Sequence, residues 1–393
     1  MSELIQPEML CLKCMNLLPD INEACPNCGF SNKDAAVDQS LLPPYTILKG
    51  QYLVGIPMGV GGFGVTYSAY DLVNSQRVAI KELFMNRIVQ RKGAYVVLDD
   101  TSERGRAFYN ECQEKFQQEA VALGALKNKS GVVDISETFR ENGTGYIVME
   151  FLEGDNLLVY LKKNGGKITF EKAFQLLSPV MKSMIEIHRT GIIHRDISPD
   201  NIIYIPDESM KILDFGSVKF TTLEGQSYVV LKKDGYTPPE QYAKGYLIGP
   251  WMDVYAMAAT IYRCITGKKP KISIERENDQ DLEDPRAYCD DIPEAEVNVL
   301  KKGLALRVEE RYQDMREFYD ALNEALPPGK PESEDDEIPS YDSSVDVDEQ
   351  YMNLIKELEQ KKTFLSPGEI VIMGILVYAF IIVLYTLIFT PIN

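Results

Sequence analysis

The sequence predicts an α+β fold with a small module before it and an apolar segment after it. Three observations carry this. Strand-like runs recur through residues 51–155, and a long helix-period run, Phe170–Arg189, follows them, which suits an α+β fold. Four of the seven cysteines fall within the first 28 residues. Ile370–Phe389 is a run of twenty residues without a charge.

At 393 residues there is room for two or three domains. A charged fraction of 25% and a hydrophobic fraction of 45% are ordinary for a globular protein. The net charge of -18 argues against nucleic acid as a partner, because phosphate backbones attract Lys and Arg. Residues 331–350 hold nine carboxylates and no Lys or Arg, so half of the excess lies in one short segment. No internal repeat is visible, and no cleavable signal peptide precedes the first cysteines.

Cys11-Leu12-Lys13-Cys14 and Cys25-Pro26-Asn27-Cys28-Gly29 are two Cys-x-x-Cys pairs, ten residues apart. Two intervening residues let both thiolates of a pair face one ion, and four thiolates make a closed tetrahedral site. The stretch 1–30 resembles a zinc ribbon with structural Zn²⁺ on Cys11, Cys14, Cys25 and Cys28. Reactive dithiols or a disulfide pair are the alternative. Cys112, Cys264 and Cys289 are scattered, which fits a reducing compartment. Residues 31–50, with Pro43-Pro44, read as a linker.

Gln51–Met58 and Val65–Leu72 are strand-like, and Gly59-Val60-Gly61-Gly62-Phe63-Gly64 joins them. A glycine run between two strands favours a loop that covers phosphates over a dinucleotide turn that opens a helix. Glycine lets backbone N–H groups approach phosphate oxygens. Val78-Ala79-Ile80-Lys81 is a third strand, and Lys81 is placed to meet phosphates. It needs a carboxylate partner. Glu119 is the first candidate, in a helix-period stretch from Phe116 to Leu126; Glu114 and Glu111 are rivals, because an insertion at about 85–112 blurs the spacing. Gly145–Gly154 reads as an apolar strand ending in a Gly-containing turn.

Phe170–Arg189 has a helix period through Ala173, Leu176, Leu177, Val180, Met184 and Ile187. It leads to His194-Arg195-Asp196-Ile197-Ser198-Pro199-Asp200-Asn201, and then to Asp214-Phe215-Gly216. Phosphoryl transfer asks for one carboxylate to take the proton of an attacking hydroxyl, and for oxygen ligands to hold magnesium. Asp196 fits the first role; Asn201 and Asp214 fit the second. Asp followed five residues later by Asn, and Asp-Phe-Gly thirteen residues after that, is a pattern chance does not supply.

The glycine loop, Val-Ala-Ile-Lys, His-Arg-Asp with its Asn, Asp-Phe-Gly, and Pro238-Pro239-Glu240 occur in order. Residues 51–325 therefore resemble a bacterial protein kinase of the eukaryotic serine/threonine type. The resemblance implies a two-lobed protein kinase fold with ATP and Mg²⁺ in the cleft. It implies that the backbone at Glu150 and Leu152 meets the adenine, that Ala79 and Ile203 line its pocket, and that Met149 sits behind it. His194 is then a packing residue, Glu240 pairs with Arg311, and Asp253 braces the catalytic loop. Residues 217–237 are the activation segment, with Thr221, Thr222, Ser227 and Tyr228 as acceptors of a phosphate that Arg195 could face; a loop ordered without phosphate is equally open.

Two positions depart from the family. The Lys expected two residues after Asp196 is Ser198, and the Thr expected before the Pro-Pro-Glu motif is Lys233. We expect Lys233, or Lys232 beside it, to supply the cation that position 198 lacks; two solvent-facing lysines are the alternative. The departure weakens a Ser/Thr assignment without removing it.

Residues 326–368 form an acidic spacer with too few apolar groups to bury, except for a short helix at Tyr351–Lys362. Residues 369–390 are long enough to span a bilayer, and Lys361 and Lys362 on the near side place the kinase in the cytoplasm. The expectation is thus a single-pass, membrane-anchored kinase acting on protein substrates, with no nucleic acid partner; a homodimer is left open. A pseudokinase scaffold that recruits partners to the membrane is the alternative.

Overall fold

The computed structural model describes residues 6–35, 38–62, 64–86, 88–124, 130–206, 209–213, 232–243, 247–276, 278–289 and 292–326. The expected spacer, its short helix and the apolar span at 369–390 lie outside these residues, as do Phe63, Asp214 and most of the activation segment. Among the described residues no helix is long and apolar enough to cross a membrane.

The small lobe is an antiparallel sheet. Strands β1 (Ile47–Leu48), β2 (Tyr52–Val60), β3 (Gly64–Asp71) and β4 (Gln76–Leu83) run in sequence order. A separate hairpin, β5 (Val89–Lys92) with β6 (Tyr95–Leu98), precedes helix α1 (Glu103–Gly124). Strands β7 (Ile135–Glu141) and β8 (Thr144–Glu150) complete the sheet in the order β1-β2-β3-β4-β8-β7. From Val78 onward β4 is buried at every residue, so it reads as a continuous apolar run broken only by Lys81 and Glu82. The insertion expected at 85–112 is therefore ordered as the β5–β6 hairpin and the first half of α1. Arg91 of β5 meets the buried Glu82 of β4, which also accepts from the Tyr67 and Tyr146 hydroxyls at 3.2 and 3.0 Å.

The cysteine module is not a bead on a string. Leu10 and Met15 pack with Leu53 and Tyr70 of β2 and β3 in one cluster. The Leu12 carbonyl accepts from the Ile56 N–H at 2.9 Å and from the Ser68 hydroxyl at 2.6 Å. The contact needs Gly55, because a Cβ there would lie 2.1 Å from the Leu12 oxygen. The sheet register shifts just beyond this point, on both sides of Pro57, which has no N–H to give a ladder. Residues 31–50 are not free chain either. Asn32 accepts from the Leu12 N–H and donates to the Leu10 carbonyl, while Leu42 and Leu48 are buried in the main core.

The larger lobe is helical. After the short strand β9 (Asp155–Asn156) come α2 (Leu157–Lys163) and α3 (Phe170–His188). Thr169 caps α3 by accepting from the Lys172 N–H. Its apolar stripe, the six residues of the sequence period, is fully buried. Strands β10 (Ile202–Ile205) and β11 (Ser209–Ile212) form a small sheet with β9. Helix α4 (Trp251–Thr266) runs through the lobe centre with nearly every residue buried, and ends at Gly267 in the left-handed region (φ 71°). Helices α5 (Glu294–Gly303) and α6 (Met315–Ala325) pack against α3 and α4.

Candidate active site

The catalytic loop hangs from α4. Asp253 is fully buried, and its carboxylate accepts from the N–H of His194 and of Arg195, each at 2.8 Å. His188 Nε2, at the end of α3, lies 2.8 Å from the same carboxylate. Burial alone would raise the Asp253 carboxyl, but the His188 bond and the other polar partners outweigh it and hold it below its ordinary value. The bracing lets Arg195 adopt φ +62°, a conformation rare outside glycine. His194 is buried; its Nε2 sits 3.0 Å from the Leu213 carbonyl, and burial lowers its pKa.

Asp196 follows that turn. Asn201 donates its amide N–H₂ to both the backbone oxygen and Oδ2 of Asp196, each at 2.8 Å. The Asn201 side-chain oxygen is the atom left for a hard cation. Leu213, just before Asp214, donates its N–H to the Asn201 carbonyl at 2.7 Å. The chain is thus tied to the Asn201 loop up to the residue before the second expected magnesium ligand; Asp214 itself lies outside the described residues. The Oδ1 atom of Asp196 lies 3.2 Å from Lys233 Nζ, which is also 2.9 Å from the Ser198 hydroxyl. Lys232 goes elsewhere, with its ammonium 4.4 Å from the Tyr242 ring centroid.

In the small lobe, Lys81 of β4 is buried and pairs in register with Thr66 of β3 and Ile147 of β8. It lies under the glycine hairpin, where a Cβ on Gly64 would be 3.7 Å from Lys81 Cε. The glycines differ in purpose. A Cβ on Gly64 would lie 2.2 Å from the Glu82 carbonyl, so the fold demands glycine there. One on Gly59 would meet nothing within 4 Å, and one on Gly61 only the Gly64 oxygen at 3.7 Å. Packing does not explain those two; close approach of a ligand would. Val60 and Gly62 are exposed at the tip. Glu119 falls within α1, and its side chain is outside the description. Its rivals face water: Glu114 is exposed, and Glu111 pairs with Lys115 at 2.7 Å.

Ala79 pairs in register with Met149, where β8 runs into the connection between lobes. The Glu150 N–H is already given to the Asp134 carbonyl at 2.9 Å, so an adenine could meet its backbone only through the carbonyl. Ile203 lies on β10 opposite Asn156, below that connection. A cavity of about 770 Å³ opens alongside, between Met58, the Phe151–Asp155 segment and Tyr204. Lys13, Cys14, Asn27 and Cys28 of the cysteine module line it on one side.

The four cysteine sulfurs lie within 4.8 Å of one another; Cys11–Cys28 is 3.5 Å and Cys14–Cys25 is 3.6 Å. Bonds of about 2.3 Å to one ion put sulfurs about 3.8 Å apart on a tetrahedron, so the set fits zinc and not a disulfide. Burial pushes Cys11 up to about 12. At Cys14 burial acts the same way, but the Asn16 backbone and side-chain bonds outweigh it, and the thiol falls to about 6.

Two pairings complete the frame. Buried Arg311 donates to Glu240 at 2.8 and 3.3 Å, anchoring the Pro-Pro-Glu turn. Gln241 Nε2 donates to the Arg195 carbonyl at 3.2 Å, a link that sequence reading missed although Gln241 directly follows the motif. His188 was missed as well. Its signal was its place at the end of α3, one helix before the loop it braces.

A glycine hairpin over a buried lysine, a connecting strand and a braced Asp-Asn loop define a nucleotide-dependent phosphotransferase class. Residues 52–324 match the protein kinase domain family, and the chain belongs to that family. A probable serine/threonine-protein kinase of Clostridium acetobutylicum is 30% identical over 71% of this chain and 40% of its own length. The serine/threonine-protein kinase PrkC of Bacillus subtilis is 28% identical over 70% of this chain and 42% of its own. The chain therefore spans less than half the length of these curated relatives. Among solved structures, PpkA-294 in its apo form superposes with a TM-score of 0.61 at 28% identity, over 72% of this chain and 99% of that one. The PknI kinase domain of Mycobacterium tuberculosis shares the fold at 20% identity, with a TM-score of 0.54 over 72% of this chain and 99% of that one.

Proposed function

We propose that the protein is a membrane-anchored protein kinase that transfers the γ-phosphoryl group of ATP to serine or threonine of protein substrates. The observation that carries this is the Asp196 carboxylate: its loop is pinned by Asp253, its Oδ2 accepts from Asn201, and its Oδ1, 3.2 Å from the Lys233 ammonium, keeps a lone pair to accept from a hydroxyl. The acceptor hydroxyl oxygen bonds to the γ-phosphorus as the bridging P–O bond breaks and ADP leaves. Asp196 orients that hydroxyl and takes its proton. Lys81 and the backbone at Gly59 and Gly61 hold phosphates, and Glu119 on α1 fixes Lys81. Asn201 and Asp214 would hold Mg²⁺, which neutralises phosphate charge. Glu150, Leu152, Ala79 and Ile203 surround the adenine.

The uncharged run within 369–390 supports a single membrane span with the kinase on the cytoplasmic side. The four cysteines would hold structural Zn²⁺.

Phosphopeptide mass spectrometry of the full chain incubated with Mg-ATP tests the reading. Phosphoserine and phosphothreonine are expected with wild type and not with Asp196→Asn. Equal phosphate on both would refute it. Alkaline extraction of membranes tests the anchor: the chain should stay with the lipid.

A further inference from the structure

We propose that Lys233, delivered by the end of the activation segment, is a catalytic cation that contacts the transferring phosphoryl group, with Ser198 as its positioning residue. The proposal rests on the kinase reading above and deepens it.

The ammonium of Lys233 sits between two groups of the catalytic loop, 3.2 Å from Asp196 Oδ1 and 2.9 Å from the Ser198 hydroxyl. Ser198 is fully buried, and its hydroxyl oxygen accepts from the ammonium. An ammonium has three donors. Two are spent on Asp196 and Ser198, and among the described residues the third has no partner. The side chain keeps 29% exposure, enough for a ligand to reach it.

The placement is built into the backbone and is not a chance rotamer. The Lys233 carbonyl accepts from the Tyr236 and Thr237 N–H groups at 2.9 and 3.0 Å. Its own N–H is given to the Thr237 hydroxyl at 2.8 Å. Gly235 closes this turn at φ +88°, with the Pro270 carbonyl only 2.6 Å from where a Cβ would stand. Just downstream, Gln241 ties the segment to the Arg195 carbonyl. Three bonds thus fix the turn that carries Lys233, and the Gln241 bond holds it against the catalytic loop. Lys232 is diverted onto Tyr242 and does not compete.

The chemistry asks for such a charge. As the phosphoryl group moves, negative charge must approach the Asp196 carboxylate, and like charges repel. A cation fixed beside Asp196 offsets that repulsion most where the phosphoryl group is nearest, in the transition state. Because position 198 is a serine, the chain takes the ammonium from 35 residues further on. Activity would then require the end of the activation segment to be docked.

The test uses the full chain, with single-turnover transfer from radiolabelled ATP to a generic acceptor protein. Binding of a fluorescent ATP analogue and of ADP with Mg²⁺ and aluminium fluoride, a mimic of the transferring group, is measured alongside. Lys233→Met should lower the rate by about 10²–10³-fold, in the range for removing one transition-state charge contact. Its nucleotide affinity should stay within about threefold, while its aluminium fluoride affinity falls with the rate. The double variant Ser198→Lys with Lys233→Thr returns the ammonium to the loop and should recover at least tenfold over Lys233→Thr alone. Lys232→Ala should keep the wild-type rate.

Lys233→Met at wild-type rate or faster would overturn the proposal. So would equal losses of nucleotide affinity and rate, failure of the double variant to recover, or loss of a cooperative melt in both variants, since each makes Lys233 structural or inhibitory. A wild type no more active than Asp196→Asn would instead bring down the kinase reading itself.

Discussion

The Asp253 carboxylate and the Arg195 N–H lie 2.8 Å apart, joining the first turn of α4 to the turn before Asp196. Removing the carboxylate leaves two backbone N–H groups and a histidine buried without their acceptor. Asp253→Ala is expected to cost about 3–5 kcal/mol, the range for breaking a buried charged network. Urea unfolding checks the stability. Phosphoryl transfer should fall too, because Arg195 loses the bond that holds its positive φ.

Glu82 and Arg91 form a second buried pair, with both side chains at 0% exposure. Arg91→Ala strands a carboxylate among the Tyr67 and Tyr146 hydroxyls and is expected to destabilise by about 3–5 kcal/mol. Replacing both partners, Glu82→Gln with Arg91→Met, should be clearly milder than Arg91→Ala. Denaturant midpoints of the three proteins decide this; equal losses would mean the pair is not the cause.

The docked cysteine module predicts that metal and lobe melt together. Chelation should lower the melting temperature of the kinase domain, because four thiolates without an ion no longer hold the loop carrying Leu12. Gly55→Ala should do the same with the metal present, by about 1–3 kcal/mol, since the added methyl meets the Leu12 oxygen. Calorimetry with and without chelator reads both. An unchanged kinase transition after chelation would show an independent module.

Glu296, in the first turn of α5, is buried, and burial with the nearby Glu171 raises its pKa to about 7. A folded value above the ordinary 4.5 means the folded state binds more protons between 4.5 and 7. Stability therefore falls as pH rises through that window. Glu296→Gln removes the charge. It should raise the melting temperature at pH 8 by about 2–4 °C, taking about 1 kcal/mol after discounting for solvent screening. At pH 4.5 the two proteins should melt alike.

Local signals were the legible part. The glycine hairpin and the apolar stripe of α3 follow from short patterns, while the Asp253 brace and the Glu240–Arg311 pair were implied by the family resemblance. The long-range contacts were not legible. Leu12 meets Ser68 across 56 positions, and no periodicity encodes which sheet face receives the module. Gly55 looked like an ordinary strand glycine until the Leu12 oxygen appeared beside it. The β5–β6 hairpin was read only as an insertion, although Gly93 at φ +64° marks its turn, because its partner Glu82 belongs to another sheet. Two departures in one neighbourhood pointed to a cation from Lys233 or Lys232, and the fold, which turns Lys232 onto Tyr242, leaves Lys233 beside Ser198.

The most direct test of the central claim is single-turnover transfer of the labelled γ-phosphoryl group from Mg-ATP, wild type against Asp196→Asn, both melting at the same temperature. The account predicts transfer to protein hydroxyls by the wild type and a loss of at least about 10²-fold in the variant. Equal rates for the two, or none from either, would contradict it.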